Sequence, residues 1–252
     1  MGTILDRISN WFAPNSKSTE ILRATYPEED ILKFYENRFE SVYVFLHPFI
    51  RPISIDIDRF NPSGYPRKLE ILENCEAVEW KWVIENSDFR NIQEIDIGLR
   101  TLISGLREEV GNQVLARRIE RFENEKGVVR PNEGELPELL QNRVFMALQK
   151  LGFDKLWVND EFRRERNLET VADLLGDYPY PGHANFESPD GTFLVTTHWD
   201  FHFSFICSSR ENIEKLLLVE KFEGFFCNEK TVVSWSLYNP DIRLHEFGLE
   251  ER

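Results

Sequence analysis

The chain has few cysteines and no long apolar run. Its 252 residues include three cysteines, Cys75, Cys207 and Cys227, an odd number without a Cys-x-x-Cys spacing. This argues against a disulfide framework and a zinc or redox motif of that type, so we expect buried, reduced thiols. No stretch approaches the roughly 18 apolar residues that a membrane-spanning helix needs. The N-terminus also lacks the basic region and apolar run of a secretory signal, so we predict a cytoplasmic protein.

Common motifs of catalysis and phosphate binding are missing as well. The sequence has no Gly-x-Ser-x-Gly elbow, no Gly-x-Gly-x-x-Gly and no Walker-type Gly-x-x-x-x-Gly-Lys. Each of these places a nucleophile or a row of backbone amides at a fixed point of the fold. Without them, no serine or cysteine stands in a recognisable nucleophile motif, and we predict no bound cofactor.

Acidic residues strongly outnumber basic ones. The 44 acidic and 30 basic residues give a formal net charge of −14. A field of this sign repels phosphate backbones and anionic membranes, so we predict that the protein binds neither nucleic acid nor membrane. Such a charge commonly serves solubility. Its functional interpretation is an acidic face complementary to a basic partner protein.

The clearest structural pattern lies in the C-terminal third of the chain. In TFLVTTHWDFHFSFIC, residues 192–207, apolar residues occupy every odd position except Thr197, and mostly polar residues occupy the even ones. This period of two is typical of a strand, but sixteen residues exceed the usual strand length. We therefore predict a bend or hairpin turn near His198–Asp200. Ser208 and Glu211 then predict a capped helix, and FEGFFC with VVSWSLY predicts a closing hairpin.

Helical periodicity dominates the rest of the sequence. It predicts helices at residues 3–12, after Pro27, at 92–106, up to about 122 and at 139–151, whereas VYVFLH and ISIDID (53–58) predict strands. Residues 78–84 fit either a strand or a helix. The fold class is α+β, with mainly helical N-terminal and middle regions and a C-terminal antiparallel sheet packed against helices. We expect a single domain, and the turn-rich residues 127–137 are the candidate boundary if the chain divides into a helical and an α+β part.

One polar cluster carries a possible chemistry. His198, Asp200 and His202 would share one face of a continuous strand, and histidine with carboxylate is a common ligand set for zinc or non-haem iron. A straight strand would hold the two histidine Cα atoms about 13 Å apart, so it offers a metal ion at most a neighbouring pair, His198/Asp200 or Asp200/His202. A bend would relax this, and His183 or His245 could then supply a further ligand. The alternative interpretation is a set of polar residues on the wet face of a sheet.

The tract THWDFHFSFICSSRENIEKLLLVEKFEGFFCNEKTVVSW resembles a small family of uncharacterised bacterial proteins of unknown function. The resemblance implies a bacterial cytosolic origin and no activity. A looser likeness, through charge and a generic α+β pattern, is to acidic bacterial immunity proteins, which sequester toxin enzymes.

Three hypotheses follow for the function. The first is a non-catalytic, immunity-like binding protein for a basic protein partner. The alternative is a metal-dependent enzyme that uses His198, Asp200 and His202 as catalytic or metal-binding residues. A third is a small-molecule binding module with an aromatic pocket.

Overall fold

The structure is a computed structural model that describes residues 31–160, 166–177, 183–234 and 236–241. The predicted helix at residues 3–12 lies outside these ranges. Within them the α-helices are α1 Ile31–Tyr35, α2 Lys68–Asn74, α3 Trp80–Glu85, α4 Ile92–Leu102, α5 Gln113–Lys126, α6 Glu138–Lys150, α7 Val171–Leu174 and α8 Arg210–Val219. The strands are β1 Ser41–Leu46, β2 Phe49–Pro52, β3 Cys75–Val78, β4 Lys155–Asn159, β5 Arg166–Thr170, β6 Asn185–Glu187, β7 Leu194–Thr197, β8 Phe203–Ser208 and β9 Gly224–Phe226.

Seven strands form one antiparallel sheet in the order β5-β4-β6-β7-β8-β1-β9. The central pairing sets Val44 of β1 opposite Phe205 of β8, and Leu194 of β7 opposite Cys207. Strands β2 and β3 form a separate two-stranded ribbon. The predicted α+β class is confirmed. The sheet is not confined to the C-terminal third, however, because β1 from the N-terminal half lies between β8 and β9.

Helices cover both faces of this sheet. Successive residues of β1 point to opposite faces, so Val42 and Val44 join one core while Tyr43 and Phe45 join the other. The first core packs against α1, α3, α4 and α5, and the second packs against α6, α7 and α8. The result is a three-layer arrangement in which neither face of the central strands meets water.

Polar side chains fix several helix ends. Asn91 and Asn112 cap α4 and α5 by accepting backbone N–H bonds, and α5 ends at Gly127, whose φ of 63° suits glycine. The cap of α8 is Ser209, which accepts the N–H of Asn212, and not the predicted Ser208. The described part of the chain contains no helix that is long and apolar enough to cross a membrane.

Two strand predictions are wrong. Residues 53–58 do not form a strand: β2 ends at Pro52, and the Asp56 side chain accepts the N–H of Asp58 to begin a 3₁₀ turn at Ile57–Arg59. Among the described residues the predicted closing hairpin is also absent, because β9 pairs with β1 and Val232 forms a bridge with Tyr238. A Cβ atom at Gly224 would overlap the carbonyl oxygen of Val44, so glycine permits this close pairing.

The candidate boundary at residues 127–137 is hydrogen-bonded to both halves of the chain. Val129 exchanges two backbone hydrogen bonds of 2.8 Å with Ile50 of β2. Further along, the N–H of Gly134 donates to the carbonyl of Phe201, at 3.0 Å. This segment therefore lies against the β7–β8 turn, which contains the polar cluster.

Candidate functional site

The turn between β7 and β8 brings the three predicted site residues to one tip. The chain reverses over residues 198–202, as predicted near His198–Asp200, and the N–H of Phe201 donates to the His198 carbonyl at 2.9 Å. The backbone N–H of Asp200 also donates to Nδ1 of His198, at 3.3 Å. We call residues 198–202 the hairpin tip.

Both histidines of the hairpin tip are buried. His198 is 3% exposed and His202 is 0% exposed, and the neighbouring Thr197 and Ser204 are buried with them. For the two histidines, the interpretation as a wet sheet face is therefore wrong, whereas Asp200 is half-buried. That interpretation assumed an open sheet, whereas Gly134 lies against the Trp199 carbonyl, Arg100 lies over the Phe201 ring and Gly105 lies against Asp200. Only Trp199, which is 41% exposed, extends from the tip into solvent.

Burial also sets the charge of these imidazoles. It lowers the pKa of His198 to about 3, and the positive charge of Arg100 acts in the same direction. Burial likewise lowers the pKa of His202 to about 3, with Arg100 and Arg130 contributing. Both side chains are consequently neutral at physiological pH, because desolvation disfavours the protonated form.

A third buried histidine, which the sequence patterns did not indicate, lies beside the hairpin tip. Nε2 of His47 is hydrogen-bonded to the Ser204 hydroxyl at 2.7 Å, and Ser204 is bonded in turn to the Thr197 hydroxyl. Burial lowers the pKa of His47 well below its usual value. A histidine hydrogen-bonded to a serine can act as a general base that activates a nucleophile. Here, however, both residues are 0% exposed, so the pair stabilises the interior in this structure.

The loop over the hairpin tip has an unusual backbone. Gly134 has a φ of +73°, and a Cβ atom there would approach the carbonyl oxygen of Trp199 to 2.6 Å. His183, with a φ of 58°, is bonded through Nδ1 to the Gly134 carbonyl at 3.0 Å. Ser104 shares this positive φ and precedes Gly105, which lies against Asp200. A left-handed backbone in non-glycine residues costs free energy and is most common at functional sites. The strain at His183 and Ser104 therefore supports the hairpin tip as a candidate functional site.

The described residues contain no group of three or more His, Cys, Asp or Glu side chains arranged to hold a metal ion. The hairpin tip gathers His198, Asp200 and His202, and His183 lies close enough to His198 to lower its pKa. His245, the other suggested ligand, lies outside the described ranges. The metal-dependent enzyme thus stays a hypothesis without a defined set of ligands.

His202 is the least satisfied polar group of the cluster. Neither ring nitrogen has a hydrogen-bond partner among the described residues, although His202 is fully buried. An unsatisfied buried polar group costs about 1–3 kcal/mol. We therefore expect His202→Leu, a change of similar volume, to keep or raise the free energy of unfolding by up to about 1 kcal/mol in urea titrations. A loss of more than about 2 kcal/mol would show that His202 makes stabilising hydrogen bonds.

Comparison with known proteins shows the family. The model of a family described as "Protein of unknown function (DUF2711)" matches residues 27–237, which is most of the chain. The chain belongs to the DUF2711 family. It is also 25% identical over 186 residues to "Uncharacterized protein YwbB" of Bacillus subtilis (strain 168), covering 68% of this chain and 77% of that protein. No solved structure matches significantly. The predicted resemblance to an uncharacterised bacterial family is confirmed.

The DUF2711 match also includes an exposed apolar loop at residues 53–58. We call these residues the isoleucine–aspartate loop. Ile53 is 59% exposed and Ile57 is 40% exposed. The loop is fixed on α2, since the N–H of Ile53 donates to the Asn74 carbonyl at 2.8 Å and the Ser54 hydroxyl donates to the Asn74 side chain at 2.6 Å. Two isoleucines are therefore presented to solvent on a hydrogen-bonded support.

Acidic groups surround these isoleucines. Asp56 and Asp58 alternate with them, and Glu73 lies on the exposed face of α2 one turn from Leu69, which is 40% exposed. None of the three carboxylates forms an ion pair with a described residue. The neighbouring cation, Arg59, is bound to Glu70 at 3.3 Å. This surface thus combines apolar contact area with negative charge that no basic side chain of the described chain offsets.

Proposed function

We propose that this protein is a cytoplasmic, non-catalytic binding protein whose acidic surface meets a basic protein partner. The isoleucine–aspartate loop carries the proposal, because its apolar side chains and unpaired carboxylates occur together. Apolar side chains supply affinity at the centre of an interface, whereas surrounding charges select the partner and speed association. The complementary surface has exposed apolar residues bordered by lysine or arginine. Acidic immunity proteins meet toxin enzymes through similar charge complementarity, which is the likeness noted from composition.

Site-specific photo-crosslinking tests where the partner binds. A photoreactive phenylalanine derivative replaces Ile53 in one sample and Leu218 in the control, since Leu218 is an apolar residue of α8 that is 88% exposed and does not belong to the loop. Both proteins are irradiated in a Bacillus subtilis lysate, because that organism contains a relative. We expect a basic protein to crosslink at position 53 and not at position 218. Equal crosslinking at both positions, or capture of acidic proteins alone, would contradict the proposal.

The purified partner then allows a quantitative prediction. We expect the variant Ile57→Ser/Asp58→Asn to lower the affinity at least about tenfold in isothermal titration calorimetry, since it removes an apolar contact and a charge. The control variant Leu218→Ser/Glu109→Gln makes the same two kinds of change at exposed positions elsewhere. It should bind like the unmodified protein. Equal losses for both variants would place the interface outside the loop.

A further inference from the structure

A cleft of about 260 Å³ opens between the β2–β3 ribbon, α3 and α6. It is separate from the isoleucine–aspartate loop and from the hairpin tip. Pockets for drug-sized ligands have volumes of about 300–1,000 Å³. This cleft is slightly smaller, so a smaller metabolite suits it. Much of its wall is apolar and consists of Leu46, Pro48, Ala77, Val78 and Leu140.

The side chain of Arg51 in this cleft is available to bind an anion. The Arg51 guanidinium lies over the Trp82 ring, 4.6 Å from its centroid. It makes no hydrogen bond or ion pair with any residue in the described ranges. Arginine offers five N–H donors in a planar fork that matches a carboxylate, and stacking on an aromatic ring fixes that plane. Arg51 is therefore a preorganised site for a planar anion.

Two carboxyl groups line the same cleft. The oxygens of Glu223 accept the backbone N–H groups of Trp80 and Lys81, at 2.7 and 2.6 Å, which holds the side chain in place. Burial raises the pKa of Glu223 to about 7 and the nearby charge of Glu79 acts in the same direction, whereas the two backbone hydrogen bonds and the charge of Lys81 act against it. Glu79 itself is exposed and forms no ion pair with a described residue. An ammonium group would relieve this repulsion between like charges.

The remaining charged residue of the cleft is already neutralised. Arg143 donates to Glu220 through Nε at 2.9 Å and Nη2 at 2.7 Å. The charges available to a ligand are thus one guanidinium and the Glu79–Glu223 pair. A phosphate dianion would meet this carboxyl pair unfavourably, whereas a zwitterion finds a partner for each of its charges.

We propose that this cleft binds a free α-amino acid with an apolar side chain. Its carboxylate would pair with Arg51, and its ammonium would pair with Glu79 and Glu223. Its side chain would pack against the apolar wall. This site is independent of the proposed protein partner, and it assigns a second, small-molecule binding activity to the chain.

Calorimetry and ligand-observed NMR test this site with four probes: L-leucine, L-isoleucine, L-valine and L-methionine. We expect at least one to bind with a Kd below about 1 mM. For that amino acid, the analogue without the ammonium group and the analogue without the carboxylate should each bind at least about tenfold more weakly. Affinity should rise from about pH 6 to about pH 8, as Glu223 loses its proton.

Matched variants locate the ligand. Arg51→Met and Glu79→Gln should each weaken binding at least about tenfold. Arg59→Met, which removes an arginine outside the cleft, should leave it unchanged. The proposal is overturned if none of the four amino acids binds, if inorganic phosphate binds as tightly as they do, or if both cleft variants bind like the unmodified protein. Because neither change alters the isoleucine–aspartate loop, the result is distinguishable from loss of the protein partner.

Discussion

Acidification from about pH 7 to about pH 5 is expected to destabilise the fold through its buried histidines. The pKa values of His198 and His202 are lowered to about 3 in the folded protein, against about 6.5 in an unfolded chain. The unfolded state therefore binds more protons in this window, and stability falls as the pH falls below about 6.5. Each of the two contributes a loss of about 2 kcal/mol between these pH values, and His47 adds to it.

Buried carboxyl groups act in the opposite direction over part of this range. The pKa of Glu223 is raised to about 7, so the folded state binds a proton more readily there than the unfolded state. Its contribution to stability is present at low pH and is lost as the pH rises from about 4.5 through about 7. Burial raises the pKa of Asp96 and Glu138 in the same sense. The net dependence on pH is thus smaller than the sum over the histidines.

Variants isolate the histidine contribution. Urea titrations at about pH 7 and about pH 5 should show that His202→Gln loses about 2 kcal/mol less on acidification than the unmodified protein. Glu223→Gln should change the dependence in the opposite sense and lose more. If the loss on acidification were the same in His202→Gln and the unmodified protein, the imidazole would not be held neutral in the folded state.

The second large effect is expected at a buried ion pair. Arg100 and Asp96 are both fully buried on α4, with Nη1 and Oδ2 3.7 Å apart. Arg100 also donates to the carbonyls of Val233 and Ser234, and Asp96 accepts the N–H of Leu237 at 2.7 Å. These bonds hold the segment after β9 against the core. Arg100→Leu would leave Asp96 as an uncompensated buried charge, so we expect a loss of about 3–5 kcal/mol in the free energy of unfolding.

Two controls separate this effect from the loss of any surface cation. Arg121→Leu removes an arginine that is 57% exposed and paired with Asp88, and it should cost less than about 1 kcal/mol. Adding Asp96→Asn to Arg100→Leu should recover part of the stability, since no buried charge remains. If Arg100→Leu cost no more than Arg121→Leu, the buried pair would not hold the fold together.

Local sequence patterns correctly predicted those helices and turns that do not depend on distant parts of the chain. The apolar stripes of α4 and α6 predicted these helices, α5 was predicted as a charged helix, and the reversal near Asp200 followed from strand length. The pairing of β1 between β8 and β9 was not predictable, because it depends on contacts between residues far apart in sequence, as between Val44 and Phe205. Alternation at Ile53–Asp58 predicted a strand wrongly, since no strand in the described part of the chain pairs with these residues.

The burial of the hairpin tip could not be predicted for a related reason. Period-two alternation at His198–His202 is the same whether the polar face meets water or a second layer of helices. The cover over the tip comes from Gly134, Arg100 and Gly105, and the sequence around these residues has no pattern that identifies their partner. The role of His47, directly after β1, could not be predicted, because a single histidine beside a strand forms no motif with its neighbours in sequence. Arg51 and Glu223 line the same cleft only because the fold places the β2–β3 ribbon, α3 and the chain just before β9 side by side.

The salt dependence of partner binding tests the central claim most directly. The basic partner identified by crosslinking is purified, and its affinity is measured at about 0.05 M and about 0.5 M salt. The unmodified protein is compared with Asp56→Asn/Asp58→Asn. If the acidic surface recognises this partner, affinity falls with salt, and it falls less in the variant, because part of the screened attraction has been removed. Affinity that is insensitive to salt, or an identical decrease in both proteins, would contradict the claim that these aspartates meet a basic partner.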